Sequence, residues 1–340
     1  MPSPTEDTRS HAARRALVTG INGQDGSYLA ELLLSEGWEV HGTIRRASLP
    51  NLQRIEHLKE KLHLHYADMT DASSLDRVVF DVVPQHVYNL AAMSDVRVSF
   101  DVPLYAAQAD ATGPLALLEA VRKHAPEARY YQAGSSEMFG MNPEVPCSED
   151  SLFWPGSPYA AAKVMAYHVT KNYREAYDMF AVNGILFNHE SERRGVEFVT
   201  QKIALAAAAG RTVTLGDLKP KRDWGYAPDY VRAMYLMMLH SEPEDFVIAT
   251  GETHSVEEFL TLAYKRRGLD WHKYTDFDPI FFRPTDPPVL LGDPSKARDL
   301  LGWEPQTSFN DLVNIMVDAA HSQRNRELRG LLKEAEEMAE

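Results

Sequence analysis

Apolar and polar positions alternate along this chain in two periods. Short apolar runs at Ala16-Leu17-Val18-Thr19, Trp38 to Ile44, Leu62 to Ala67, His86 to Leu90 and Arg129 to Ala133 read as buried strands. Between them the spacing is helical. Leu29, Leu32 and Leu33 share one face of a helix that stops at Gly37, and Leu75 to Val82 repeats the pattern. Leu104 to His124 does so again, with a bend or break expected at Gly113-Pro114. Strands that alternate with helices predict an α/β fold with a parallel, doubly wound sheet. The second half continues with a long helix from Tyr159 to Tyr177 and an apolar strand from Phe180 to Phe187. A polar loop from Asn188 to Gly195, a small-residue helix from Gln201 to Ala209 and a strand from Val213 to Leu215 follow. Ala227 to His240 is amphipathic with methionines as core filler, Asp245 to Thr250 is a strand, and Phe309 to His321 is amphipathic. Glu327 to Glu340 reads as a charged, solvated helix.

The first strand runs straight into Gly20-Ile21-Asn22-Gly23-Gln24-Asp25-Gly26. Strand, glycine turn, helix and strand make a βαβ unit of the dinucleotide-binding type. Its glycines let the backbone approach a pyrophosphate at the helix N-terminus. After the second strand, where an acid would grip an unmodified ribose, Arg45 and Arg46 suit the extra phosphate of NADP. Gly20, Asp68, Asn89 and Ser135 all fall at the carboxyl ends of strands, where such sheets bind ligands. Pro158 opens the alanine-rich helix, and Tyr159 and Lys163, four residues apart, project from one face. A nearby ammonium is expected to lower the phenol pKa and make Tyr159 a usable base.

A length of 340 residues, with 44% hydrophobic and 25% charged, suits one large or two intimately joined domains. The boundaries read as a tail over 1–15 and a Rossmann domain over 16–190 with returning segments near 225–255. A smaller, mixed α/β substrate domain then covers 191–325, and a charged helix 326–340. A net charge of -14 argues against nucleic acid and anionic membranes as partners, while leaving room for a small anionic ligand in a local basic pocket. Cys147 is the only cysteine, which excludes an internal disulfide and a cysteine metal site. The thirteen histidines show no metal-ligand spacing, so no metal is expected. The polar start lacks a signal-peptide core, and no apolar run spans a bilayer; a cytoplasmic location is expected.

Longer stretches carry a resemblance: Gly23 to Glu31, Asn183 to Ser191, Phe198-Val199-Thr200 with Lys202, Arg222-Asp223-Trp224-Gly225, Phe282-Arg283-Pro284 and Leu291-Gly292-Asp293-Pro294. Through these the chain resembles the extended short-chain dehydrogenase/reductase superfamily and, within it, the GDP-mannose 4,6-dehydratases, over roughly Ala16 to Pro305. The resemblance implies a catalytic quartet of Ser135, Glu137, Tyr159 and Lys163, with serine where the dehydratases usually carry threonine. It implies an NADP site built from Gly20, Gly23, Gln24, Asp25, Gly26 and Arg45, then Asp68 and Met69, then Leu90, Ala91 and Ala92. Tyr159 and Lys163 complete it with Leu186, Asn188, His189 and Arg194. The GDP-sugar is expected at Ser94, Glu137, Asn188 and Lys202, then Leu215, Gly216, Arg222, Arg283 and Asp286. The implied reaction oxidises C4, removes water across C5 and C6 with Glu137 as base, and reduces C6. The segment from Arg45 to Asn51 implies a homodimer or homotetramer. Asp95 and Asp286 stand where the mannose enzymes often carry histidine and glutamate, which leaves the hexose open. A related GDP-sugar dehydratase (for a heptose, for instance), an epimerase or 4-keto reductase without need of Glu137, and a non-catalytic dinucleotide sensor stay as alternatives.

Overall fold

Strand Arg15–Thr19 lies inside a seven-stranded, wholly parallel sheet. In the computed structural model, which describes residues 14–48, 51–142, 144–282 and 284–337, the order across the sheet starts at Phe246–Ile248. It continues through Ala181–Leu186, Arg129–Ala133, His86–Asn89, Arg15–Thr19, Glu39–Ile44 and Leu62–Tyr66. Chain order reverses between Arg15–Thr19 and His86–Asn89, so a crevice opens past the carboxyl ends of those two strands. Both faces are covered. Ala16 and Val18 point into a core shared with Leu29, Leu33, Met234 and Met237, on helices Gln24–Ser35 and Ala227–Leu239. Leu17 points the other way, among Leu75, Val79, Leu117 and Val121 on helices Ala72–Val82 and Gly113–His124. Burial on two faces explains why these strands read as continuous apolar runs.

A third core gathers helices Val199–Ala209, Val256–Arg266 and Phe309–Glu337 around Ile203, Phe259, Leu312 and Met316. Phe309, Leu312, Val313, Met316, Val317 and Ala320 are buried at helical spacing, as the sequence pattern requires. Two small sheets border this region, one joining Lys221–Arg222 to His254–Ser255 and Val289–Leu290, the other joining Val213–Leu215 to Thr275–Phe277.

Several boundaries differ from the sequence reading. Gly113-Pro114 does not break its helix. Helix Pro103–Ala107 passes into a π-helical segment, Gln108–Thr112, and then into Gly113–His124, with Gly113 itself helical. Pro114 sits in the first turn of that last piece, where its missing N–H is harmless, and the absent Gly113 side chain makes room for Met69. Asn188 to Gly195 is not loop throughout: Asn188–Glu190 pairs in parallel with Trp224–Tyr226. Arg15 belongs to the first strand, opposite Glu39, rather than to a tail; residues 1–13 lie outside the described residues. The charged C-terminal segment continues the Phe309–Glu337 helix, and residues 338–340 lie outside the described residues.

The expected strand from Asp245 to Thr250 is confined to Phe246–Ile248, because Asp245 serves through its side chain. Arg174 donates to both its carboxylate oxygens, at 2.8 and 2.9 Å, and Asn183 donates through backbone and side chain at 2.9 and 3.0 Å. Burial alone would raise the Asp245 pKa, but Arg174 and Asn183 outweigh it and hold it below the ordinary carboxylate range. A lowered folded value means stability that is present at neutral pH and lost as pH falls through the acid range. Asp245→Ala strands the buried Arg174 and is expected to cost about 3–5 kcal/mol. Denaturant unfolding at pH 7 and at acid pH checks this, with the gap between variant and wild type narrowing in acid.

Candidate active site

A crevice of about 920 Å³ lies where the carboxyl ends of the central strands meet the third core. Its floor starts at Gly20, whose φ of +66° turns the chain off the first strand; a side chain there would meet the Ala91 backbone at 3.0 Å. Gly26, inside the following helix, leaves no room either: a Cβ would stand 2.4 Å from the Gly20 carbonyl oxygen. The glycines thus clear a groove at the N-terminus of helix Gln24–Ser35, with free N–H groups facing it. Thr19 lies buried behind the crevice. Its hydroxyl donates to Asn89 Oδ1 at 2.6 Å and accepts the backbone N–H groups of Leu90 and Ala91 at 3.0 and 3.1 Å.

On the facing wall, Ser157 caps helix Pro158–Tyr177 by accepting the Ala160 N–H at 3.1 Å, and Pro158 opens its first turn. Tyr159 and Lys163 are both buried and share the crevice, with Lys163 Nζ 5.7 Å from the Tyr159 ring centre. Lys163 donates to the Ala133 carbonyl at 2.9 Å. Ser135 and Glu137 arrive on the short 3₁₀ turn after strand Arg129–Ala133, where Ser135 Oγ accepts the Glu137 N–H at 3.2 Å. The expected electrostatics need correction. Burial, then the charge of Asp110, drive the Tyr159 pKa up; hydrogen bonding to Ser135 opposes them and Glu137 adds to them. Burial also lowers the Lys163 pKa, against the pull of Asp110. Lys163, turned to Ala133, therefore does not make the phenol acidic on its own.

The site residues read from the sequence line this one crevice, apart from Arg46 and Asn89, which do not, and Arg283, which lies outside the described residues. Arg45 lines it and donates to the Tyr105 hydroxyl at 2.6 Å, whereas Arg46 is not among the lining residues. Several of the others are already committed to partners. Asp68 Oδ1 accepts from the Thr70 backbone and hydroxyl. Asp25 meets His189 Nε2 at 2.8 Å, and His189 Nδ1 lies 2.7 Å from the Phe187 carbonyl. Burial opposes charge on both, yet their attraction prevails: the Asp25 pKa is lowered and the His189 pKa raised. Arg222 donates to the carbonyls of Lys221 and Pro287 and, at 2.5 Å, to Asp286. Lys202 Nζ sits 4.5 Å from the Phe281 ring centre. Asp95 caps the helix Val96–Asp101.

Among the lining or supporting residues that escaped the sequence reading are Arg54, Glu190 and Asp110. Arg54 reaches the crevice from a separate loop, bonded to the Arg193 carbonyl at 2.7 Å. Glu190 lies there with Thr200 and Arg194 as partners, at 2.5 and 3.1 Å. Asp110, in the π-helical segment, accepts the Met93 N–H at 2.7 Å, and burial raises its pKa to about 6. A lone acid among alanines was the available signal for Asp110; nothing local marks the other two.

A family model for GDP-mannose 4,6 dehydratase matches residues 17–316. The chain is 53% identical over 320 residues to GDP-mannose 4,6 dehydratase 2 of Arabidopsis thaliana, covering 89% of this chain and 86% of that one. It belongs to the GDP-mannose 4,6-dehydratase family. A Drosophila melanogaster GDP-mannose 4,6 dehydratase is 48% identical over 336 residues, 89% of this chain and 85% of its own. The UDP-glucose 4-epimerase of Thermus thermophilus, solved in complex with NAD, superposes with a TM-score of 0.82 at 27% identity, covering 90% of this chain and 98% of that one. Membership of the GDP-mannose 4,6-dehydratase family makes the chain an enzyme of the hydro-lyase class.

The Asp110 charge bears on both Tyr159 and Lys163. Asp110→Asn removes a negative charge that disfavours the phenolate, so Tyr159 should titrate at lower pH. Tyrosinate absorbance, with the Tyr159→Phe background subtracted, checks the direction; an unmoved or raised titration refutes it.

Proposed function

We propose that the protein converts GDP-mannose to GDP-4-keto-6-deoxy-mannose with loss of water, using a tightly held NADP. The observation that carries this reading is the convergence of Glu137 with Ser135, Tyr159 and Lys163 in the crevice that begins at the glycine turn. An epimerase or 4-keto reductase has no work for a buried carboxylate at that point. The groove cleared by Gly20 and Gly26 at a helix N-terminus fits a dinucleotide pyrophosphate. The exposed Arg45 guanidinium, rather than an acid, follows strand Glu39–Ile44, which favours the 2′-phosphate form. When bound, the nicotinamide supplies a hydride acceptor for C4 and returns the same hydride to C6, so no oxidant is consumed.

This chain's residues handle the protons. Tyr159 Oη, deprotonated, takes the proton of the C4 hydroxyl while Ser135 holds that oxygen. The C4 ketone acidifies C5, and the Glu137 carboxylate removes the C5 proton. Glu137, with Ser136 beside it, delivers that proton to the C6 hydroxyl, which leaves as water. The proton kept on Tyr159 balances the one restored at C5. Lys202 and Arg222 would meet the diphosphate as cations against phosphate oxygens, with Arg283 a further candidate. The seven-stranded sheet is read as the cofactor half, 16–190 with the returning 225–255, and the third core as the nucleotide-sugar half over 191–325.

Incubated with GDP-mannose and NADP⁺, the protein is expected to yield a product lighter by one water in mass spectra, without accumulation of NADPH. Glu137→Gln should keep NADP⁺ binding and lose dehydration by roughly 10²–10⁴-fold. Undiminished dehydration in that variant removes Glu137 from its role. NADP⁺ should bind more tightly than NAD⁺, and Arg45→Ala should narrow the gap.

A further inference from the structure

At the other end of the sheet, away from the crevice, three histidines and two carboxylates meet where strands Glu39–Ile44 and Leu62–Tyr66 pair. His41 and His63 are register partners, so their rings leave the sheet side by side and stack with centres 4.7 Å apart. His65 stacks on His41 as well, at 5.3 Å. Glu39 Oε1 lies 2.8 Å from His41 Nε2 and 3.8 Å from His63 Nε2. One carboxylate oxygen and two imidazole nitrogens thus converge within 4.8 Å of one another. A tetrahedral ion with bonds of about 2.0–2.1 Å needs its ligand atoms roughly 3.3 Å apart, between the two spacings seen here. Small rotations of Glu39 and His63, both partly exposed, reach it.

His41 Nδ1 lies 3.1 Å from His65 Nε2. In one tautomer His41 Nε2–H donates to Glu39; in the other, Nδ1–H donates to His65, and the His41 Nε2 lone pair faces the Glu39 carboxylate and is open to a cation. Such a hydrogen bond from the distal nitrogen is what orients histidine ligands in metal sites. Asp81, on helix Ala72–Val82, faces His65 and adds negative charge.

We propose that Glu39, His41 and His63 bind one divalent transition-metal ion of the zinc type, with His65 as the residue that orients His41. Two nitrogens and one oxygen suit Zn²⁺ or Co²⁺ and leave a fourth position for water. The ion clamps edge strand Leu62–Tyr66 to its neighbour; it touches none of the crevice residues. A motif scan misses the site because its ligands come from two strands and meet only through sheet register.

Full-length protein without a histidine tag, loaded with NADP⁺, is titrated with Zn²⁺ by calorimetry, and Co²⁺ is followed by visible absorption. One ion per chain is expected at pH 7.5, with an intense four-coordinate Co²⁺ spectrum and weakening as pH falls through the histidine range. His63→Ala and Glu39→Gln, both at partly exposed positions, should each weaken binding about tenfold or more, and His65→Ala roughly 10–100-fold, while turnover stays at the wild-type level. Binding that survives His63→Ala and Glu39→Gln unchanged places the ion elsewhere and overturns the proposal. Absence of stoichiometric binding to the wild type overturns it too, leaving a proton between Glu39 and His41.

Discussion

An unbroken chain of buried hydrogen bonds runs from the first strand to the catalytic helix, and the site depends on it. Thr19 donates to Asn89, the Asn89 amide donates to Gln132 Oε1 at 2.9 Å, and Gln132 Nε2 donates to the Ala133 carbonyl at 3.1 Å. Lys163 binds the same carbonyl. The first two links join neighbouring strands, the third stays within Arg129–Ala133, and the last ties in the helix, all at the carboxyl end of the sheet. A buried amide or hydroxyl left without a partner costs about 1–3 kcal/mol, so the chain holds as a unit or fails as one. Its first member also pins the Leu90 and Ala91 N–H groups, which brings the Ala91 backbone against Gly20. The need for glycine at position 20 is therefore a consequence of Thr19 as much as of any ligand.

The same burial that orders the site sets its electrostatic problem. The proposed mechanism uses Tyr159 as a base, yet desolvation, Asp110 and Glu137 all oppose its ionisation, while the Ser135 hydrogen bond and the Arg194 charge favour it. Asp110, held by Met93 in a π-helical turn, tunes both members of the Tyr159–Lys163 pair from behind.

Whatever depends on local spacing was legible in the sequence. The apolar runs gave the central strands to within a residue or two, the glycine turn marked the switch point, and Tyr159 with Lys163 marked the helix facing it. Features that depend on distant residues were not. Asp25 and His189 were read separately as ligand residues, but 164 positions apart they bind each other. The strand at Asn188–Glu190 exists because Trp224–Tyr226 comes alongside, and no period in the polar stretch announces it. Gly113-Pro114 was read as a bend or break; the chain instead stays helical through a π-helical segment, and propensity could not show that Gly113 leaves the space taken by Met69. The Lys163 effect on Tyr159 was misjudged for the same reason: spacing put the ammonium near the phenol, while the Ala133 carbonyl turned it away.

An acidic protein that takes a doubly charged nucleotide sugar must neutralise its own carboxylates first, and the crevice shows how. Asp25 is neutralised by His189, Glu190 by Arg194 and Asp286 by Arg222, while Asp95 and Asp68 are spent on backbone N–H groups. Arg222 illustrates the economy. Its guanidinium is buried, with Nη1 fixed by two carbonyls and Nη2 by Asp286. Asp286, one methylene shorter than glutamate, is the carboxylate that draws the Arg222 fork to the crevice wall.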